Sequence, residues 1–316
     1  MKPAQAPIGG ATCPAYSTPM TAASLADSRD NRAHGILWML ATMFCFIALD
    51  AIMKLLLETY SLVQVTWGRF FFASLIAIAI CGRRLPELAV SRAPILQGGR
   101  SVLLMTTTGL FNAGIRTTPL ATATTIMFTS PILVTLLSIP LLGEKVGIRR
   151  WMGIAVGFAG ALVVVRPWDA GLGGLGAGML FLLAAALTNA NYQIATRKVR
   201  HDDQLTSLLY TAAAGAIVTS AIVPWFWSWP DAFAWTLFAA SGLTGGLGHL
   251  CLIKSLRAAP ASIVAPFSYS SLLWATLLGL AIWGDWPDLW TWAGAALIIG
   301  SGLYIFHRER IRHEDR

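Results

Sequence analysis

Four side chains of this sequence place ionisable groups inside long apolar runs: Asp50, Lys54, Arg69 and His249. At a helix centre in a bilayer each such group costs about 2.5–3.5 kcal/mol on insertion scales, so each needs a structural or chemical reason. Asp50 and Arg69 fall at matching depth, about two turns from the facing ends of two consecutive apolar segments, and Lys54 lies one turn beyond Asp50 on the same helical face. A cluster of Asp50, Arg69 and Lys54 has two readings. It is an ion pair pinning the first two helices together, or a site for the charged groups of a substrate or a proton. His249 stands in the glycine-rich stretch GLTGGLGHLCLIK. An imidazole titrates near physiological pH, which suits it to relay a proton or to hydrogen-bond a substrate; a neighbouring carbonyl could equally satisfy it.

The uncharged polar residues follow a repeat. Ile115 to Val165 recurs, shifted by 141 positions and without a gap, as Leu256 to Phe306. Arg116 falls on Arg257, Pro119 on Pro260, Ser130 on Ser271, Thr135 on Thr276 and Trp151 on Trp292. The same shift sets Gly35 on Gly176, Asp50 on Asn191 and Arg69 on Tyr210, so each copy is expected to contain five helices. Asn191 belongs to TNANYQ, where consecutive positions cannot share one face, and its pairing with Asp50 selects it as the candidate cavity residue; Tyr210 is selected by its pairing with Arg69. The runs TATTIMFTSP and APFSYSS each carry an interior proline, Pro131 and Pro266, that removes a backbone donor and kinks the helix. Freed carbonyls at membrane depth must face protein or water, so these runs, with Tyr269, are expected to line a cavity. Trp67 and Trp274 could offer stacking surfaces to a planar ligand, although interface anchoring is the commoner fate of tryptophan. Trp225, Trp227, Trp229 and Trp235 are read as such anchors.

Positioning these residues requires a membrane. Charged residues are 12% of the 316 and hydrophobic residues 56%, and apolar runs long enough to span a bilayer recur. Ten helices are expected at 35–57, 62–81, 94–115, 118–142, 151–167, 175–196, 205–224, 235–255, 260–283 and 288–306. The net charge of +8 sits in short loops, where it sets orientation and does not call for nucleic acid. Arg83, Arg84, Arg92, Lys145, Arg149, Arg150, Arg197, Lys198, Arg200, Lys254 and Arg257 mark one side as cytosolic, whereas the other keeps little beyond Arg116 and Arg166. Five helices per copy turn the second copy over. GEKVGIRRW in the first is basic, and its counterpart GDWPDLWTW replaces the cations with tryptophan, proline and acids. The expected fold is therefore an all-α polytopic membrane protein of ten transmembrane helices in two inverted five-helix repeats. Residues 35–167 form the first repeat and 168–306 the second, between a disordered cytosolic tail at 1–34 and a basic cytosolic tail at 307–316. Inverted repeats of this kind are characteristic of secondary transporters.

No metal or cofactor is called for. The four cysteines have no ligand spacing, Asp202 and Asp203 after His201 read as a solvated loop, and the glycines lie in apolar helices as packing residues. An intramembrane enzyme would need a nucleophile–base pair or a carboxylate dyad at one depth; Asp50 is the single strongly buried carboxylate, and no serine sits in a recognisable elbow. A channel would need a continuous polar stripe.

The motifs WGRFFFASL, TTPLATATTIMFTSPILVTLLSIPLLGEKVGIRRWMGIAVGFAGALVVV and APFSYSSLLWATLLGLAIWGDWPDLWTWAGAALIIGSGLYI resemble the EamA-type branch of the drug/metabolite transporter superfamily over residues 35–306. Asp285 stands where that family usually has Glu. The D-x-x-x-K of the first helix, WGRFFF and GHLCLIKSLRAAPASIVAPFSYSS look like the subgroup of riboflavin and S-adenosylmethionine uptake permeases, while other members export amino acids and metabolites. The resemblance implies a multi-pass permease of the inner or plasma membrane. Its partners would be a small-molecule substrate, the lipid bilayer and a coupling proton. Asp50, Arg69, Trp67, Asn191, Tyr210, His249, Tyr269 and Trp274 are the candidate substrate-binding residues.

Overall fold

The computed structural model describes residues 22–142, 148–166, 176–199, 202–259 and 261–314, and every regular element among them is helical. The loop with Lys145, Arg200 with His201, Pro260 and residues 1–21 of the expected tail lie outside the described residues. Helices α1 (Ala22–Thr59), α2 (Leu62–Cys81), a short α3 (Leu85–Leu88), α4 (Pro94–Ile115), α5 (Leu120–Met127), α6 (Ser130–Leu142) and α7 (Ile148–Val165) make the first half. The second contains α8 (Ala177–Lys198), α9 (Gln204–Ile222), α10 (Ala232–Ala258), a single turn α11 (Ala261–Val264), α12 (Ser270–Trp283) and α13 (Leu289–Glu314).

Two expectations about the ends are corrected. The first helix begins at Ala22, so residues 22–34, expected in a disordered tail, are helical, and the last helix runs to Glu314 rather than ending at 306. The polar segments flanking the apolar cores hold i, i+4 backbone bonds as readily as the apolar ones, and hydropathy does not register that. Elsewhere local chemistry sets the boundaries. Ser61 and Asp231 cap α2 and α10, accepting from the backbone N–H of Gln64 and Ala234, each three residues on. Gly284 ends α12 in the left-handed region at φ 73°, open to glycine without a Cβ penalty.

The expected 118–142 helix is two helices, α5 and α6, broken at Phe128–Thr129 just before Pro131. Its repeat counterpart, 260–283, breaks likewise into α11, a 3-10 turn over Ala265–Tyr269 that contains Pro266, and α12. Proline removes the donor at each break, and nearby hydroxyls take up carbonyls: Thr129 Oγ1 donates to Ile126 O at 2.7 Å and Ser271 Oγ to Ser268 O at 2.9 Å.

Among the described residues, six helices are long and apolar enough to cross a bilayer, Ala33–Thr59, Gln204–Phe226 and Ala232–Ala258 being three of them. Helices α4 and α8 are not in that set, because polar residues such as Gln97, Arg100, Asn112, Asn189 and Gln193 lower their hydropathy; these residues bond neighbouring helices instead. The most extensive packing between the halves is that of α1 with α10, α4 with α8, α7 with α13 and α2 with α9, and α2 with α10 and α4 with α9 add to it. Small residues let these backbones close. A Cβ added to Gly35 of α1 would lie 2.5 Å from the Ala259 Cβ beyond α10, and one on Gly294 of α13 would lie 2.7 Å from the Gly160 carbonyl of α7.

Candidate functional site

A cavity of about 400 Å³ lies between α1, α2 and α4 of the first half and α8, α9 and α10 of the second. It extends from Asp202 and Gln204 at the arginine-rich end of the bundle inward to Phe46, Leu49 and Arg69. Most of its wall is apolar, supplied by such residues as Phe70, Ile76, Leu104 and Leu252, and into it project Arg69, Arg100, Tyr192 and His249. Gly245 and Gly246 of α10 also line it, so the backbone itself forms part of the wall.

Arg100 organises one side. It is 5% exposed, and its guanidinium donates from Nε to Thr196 Oγ1 at 2.8 Å, from Nη1 to Ser207 O at 3.1 Å and Thr211 Oγ1 at 3.0 Å, and from Nη2 to the Tyr192 hydroxyl at 2.9 Å. Nη1 also reaches Gln97 Oε1 at 3.2 Å, and the Tyr192 ring stacks with the guanidinium at 4.9 Å. One cation so links α4, α8 and α9. Towards the mouth, Gln97 Nε2 donates to both Asp202 Oδ2 and Ser207 Oγ, each at 3.0 Å. The Ser91 hydroxyl and the backbone N–H of Arg92 also donate to Asp202. The bonds from Ser91 and Gln97 hold the Asp202 carboxyl below its ordinary value.

The candidates from the sequence scatter. Arg69 and His249 do line the cavity, with His249 edge-on to Phe46 at 5.2 Å between centroids. Asp50 lies next to Leu49 on α1, close enough for its charge to act on Arg69, but the two form no ion pair within 4 Å and Asp50 is not among the lining residues. The expected three-charge cluster is corrected at Lys54. Its ammonium turns to the opposite end of the bundle, bonding Thr118 O at 3.3 Å and Asp285 Oδ2 at 3.4 Å and lying 4.6 Å over the Trp283 ring.

Trp67 is buried beside Phe71, Trp227 and Phe238, with its indole N–H donated to Ser220 Oγ at 2.9 Å. Within TNANYQ the residue in the cavity is Tyr192. Asn191 donates back to Leu187 O of its own helix, and Asn189 and Gln193 both donate to Ser130 Oγ on α6. Tyr210 faces away and donates to Ala89 O. Tyr269 and Trp274 are not lining residues either. Tyr269 packs on Phe128 with its hydroxyl against Gly302 of α13, and Trp274 sits edge-on to Phe44 with its indole N–H buried and without a partner among the described residues. Within TATTIMFTSP, Thr124 donates to Leu120 O, Thr125 to Ala121 O and Thr129 to Ile126 O, while Thr122 meets Thr291 of α13 and Ser130 accepts from α8, so these hydroxyls are spent within the protein and none lines the cavity.

Sequence reasoning missed Arg100. The available signal was the one used for Arg69, a cation within a spanning-length segment. Its place seven residues into α4, near a loop already rich in arginine, disguised it as a loop charge.

The opposite end of the bundle is closed. Besides Lys54–Asp285, Arg166 pairs with Asp288 at 2.7 Å, Trp283 Nε1 donates to Glu58 at 2.6 Å, and Gln64 exchanges two hydrogen bonds with the Ser228 backbone at 2.7 and 2.9 Å.

Comparison with known proteins agrees with this architecture. The sequence model of the EamA-like transporter family matches residues 33–166 and again 176–306. An S-adenosylmethionine uptake transporter of Rickettsia prowazekii is 26% identical over 285 residues, 90% of this chain and 96% of the relative. A riboflavin transporter of Rhizobium johnstonii is 29% identical over 305 residues, 93% of this chain and 97% of the relative. The pseudopaline exporter CntI of Pseudomonas aeruginosa is 26% identical over 277 residues, 84% of this chain and 93% of the relative. A crystal structure covers 84% of this chain and 95% of its own with a TM-score of 0.56 at 20% identity, a likeness of fold.

Proposed function

We infer the activity from one premise: the chain belongs to the EamA-like transporter family. We propose a secondary active transporter that moves a small organic metabolite across the inner or plasma membrane by alternating access. The observation that carries this reading is the asymmetry of the bundle. A cavity walled by helices of both halves reaches one end, and interlocked side chains close the other. A pore would be open at both ends, and an enzyme would need a reacting group that the cavity does not bring together.

Two inverted five-helix repeats supply the moving parts in this proposal. In its support, α1 meets the end of α10 at Gly35, where the apolar part of α1 begins, through the Ser255 hydroxyl and Gly35 O at 2.7 Å, whereas the start of α8, the repeat counterpart of that part of α1, meets the end of α4 at the opposite end of the bundle. Exchanging the repeats maps the α1–α10 pair onto α8–α4, as a pseudo-two-fold axis in the membrane plane requires. With the arginine-rich end cytosolic, both termini are cytosolic and the cavity faces the cytosol. Arg69 and His249 contact the substrate, Asp50 biases their charge from behind, and His249 is the candidate for a coupling proton. Trp67, Asn191, Tyr210, Tyr269 and Trp274 would act in a state of the cycle in which their present partners separate.

Riboflavin-like and S-adenosylmethionine-like compounds head the substrates to test, from the likeness to uptake proteins for both. Export is the second reading, favoured by the likeness to an exporter of pseudopaline. Proteoliposomes loaded or bathed with each labelled compound, with and without an imposed proton gradient, test both directions. Unmodified solute should cross and accumulate; recovery of a chemically altered product, or equal leakage through protein-free liposomes, would end the proposal.

A further inference from the structure

We propose that the cavity takes a ligand bearing an anionic group, a carboxylate or a phosphate, and that Arg69 receives that group. This rests on the transport reading and sharpens it to a class of substrate. Two guanidinium groups line the cavity, and they are in opposite states. Arg100 is spent: its donors are committed to Thr196, Ser207, Thr211, Gln97 and Tyr192. Arg69, among the described residues, makes no hydrogen bond and no ion pair within 4 Å; the Phe70 ring lies 5.9 Å away, and Asp50 and Tyr192 act on it only through their charge. A guanidinium carries five N–H donors in a planar fork, and all five of these are free to turn into the cavity.

The surroundings leave its donors unbonded. Asp202 is the one carboxylate lining the cavity, and its oxygens already accept from Ser91, Arg92 and Gln97 at the mouth. Asp50 acts on Arg69 only from beyond ion-pair distance. Since a cation at this depth is costly without a partner, the vacancy is one that an incoming anion fills. A planar fork receives a carboxylate or a phosphate oxygen pair through two parallel charge-assisted bonds, which an ammonium or a hydroxyl could not match. Phe46, Leu49, Phe70, Ile76 and Leu252 leave the rest of the wall apolar, so the ligand is amphipathic, with its anionic end at Arg69.

The test is binding to the purified full chain in detergent with probe pairs that differ in the anionic group alone. S-adenosylmethionine against its decarboxylated counterpart reads the carboxylate. Riboflavin 5′-phosphate against riboflavin reads the phosphate. Aromatic and aliphatic α-amino acids against their amides widen the carboxylate arm. In at least one arm the anionic member should bind roughly 10- to 100-fold more tightly. That gap should vanish in Arg69→Gln and survive in part in Arg69→Lys. Equal affinity within every pair, absence of binding by all anionic members, or a gap that persists in Arg69→Gln overturns the proposal. The wild-type pairs decide the matter even if Arg69→Gln fails to fold. Flux through proteoliposomes separates the two inferences. A neutral probe carried as well as its anionic partner refutes the anion site and leaves transport standing, while anions that bind and are never carried do the reverse.

Discussion

The two ends of the bundle are built from the same kinds of residue and do opposite things. At the arginine-rich end, polar side chains from α4, α8 and α9 bond to one another around Arg100 and leave a cavity between them. At the other end, Lys54, Glu58, Asp285 and Asp288 tie helices of the two halves together, while Trp67, Trp227, Trp235 and Phe238 fill the space beneath. The lesson lies in where the ties fall. Hydrogen bonds that run along the wall of a cavity keep it open, and ties that cross between the halves shut it.

That contrast can be broken most severely at Arg100. Replacing it with Met removes the donor to five acceptors, of which those on Gln97 and Thr211 are on buried residues, so unfolding by denaturant in detergent micelles should show a loss of ~3 kcal/mol. Arg69→Gln, by comparison, should leave stability unchanged within error. Gly68→Ala attacks the closed half next. A Cβ there would lie 2.2 Å from Phe238 Cδ1, and overpacking of this kind should lower thermal stability by ~1–3 kcal/mol.

A smaller effect is expected of Lys54→Met, because the Lys54–Asp285 pair is partly exposed, 11% and 34% for the two side chains, and worth under ~1 kcal/mol. That is enough to shift a balance between open and closed ends a few-fold. With the native cysteines replaced, a cysteine introduced at Ala73 should label faster with a membrane-impermeant thiol reagent added from the Trp283 side. An unchanged rate would mean that the pair is no latch. The mildest effect concerns pH. The hydrogen bonds to Asp202 lower its pKa, so their stabilisation is in full force above the ordinary carboxylate range near 3.8 and is lost as pH falls through the lowered value. Thermal stability followed from pH 7 to pH 3 should therefore fall more steeply for the wild type than for Asp202→Asn.

Comparing the repeat copies shows how much of the site was legible. The breaks before Pro131 and at Pro266 were legible because proline removes a helix donor, although Pro140 sits inside α6 without ending it. Arg69 and His249 were legible as cavity residues because charge and titratable rings are rare at membrane depth. Asn191 was not, because its own helix offered Leu187 O as a nearer acceptor, and rotation by one residue delivered Tyr192 to the cavity instead. Tyr269 and the hydroxyls of α5 were misread for a related reason. Polar groups in an apolar helix are first claimed by local carbonyls and close helix contacts, and only the unclaimed remainder can face a ligand.

By itself the sequence determined the class of protein: apolar runs of spanning length, charge gathered mostly in short loops, and a gapless repeat admit a polytopic bundle and little else. Those are properties of composition and period, which each segment carries wherever it is packed. Only the tertiary structure decided which cation is committed and which is free. Arg69 and Arg100 are the same residue in similar segments, and what separates them is the set of acceptors brought within 3.2 Å of one and withheld from the other. Hydrogen bonds act over one atomic contact, so their partners are settled by how helices far apart in the chain come to lie side by side.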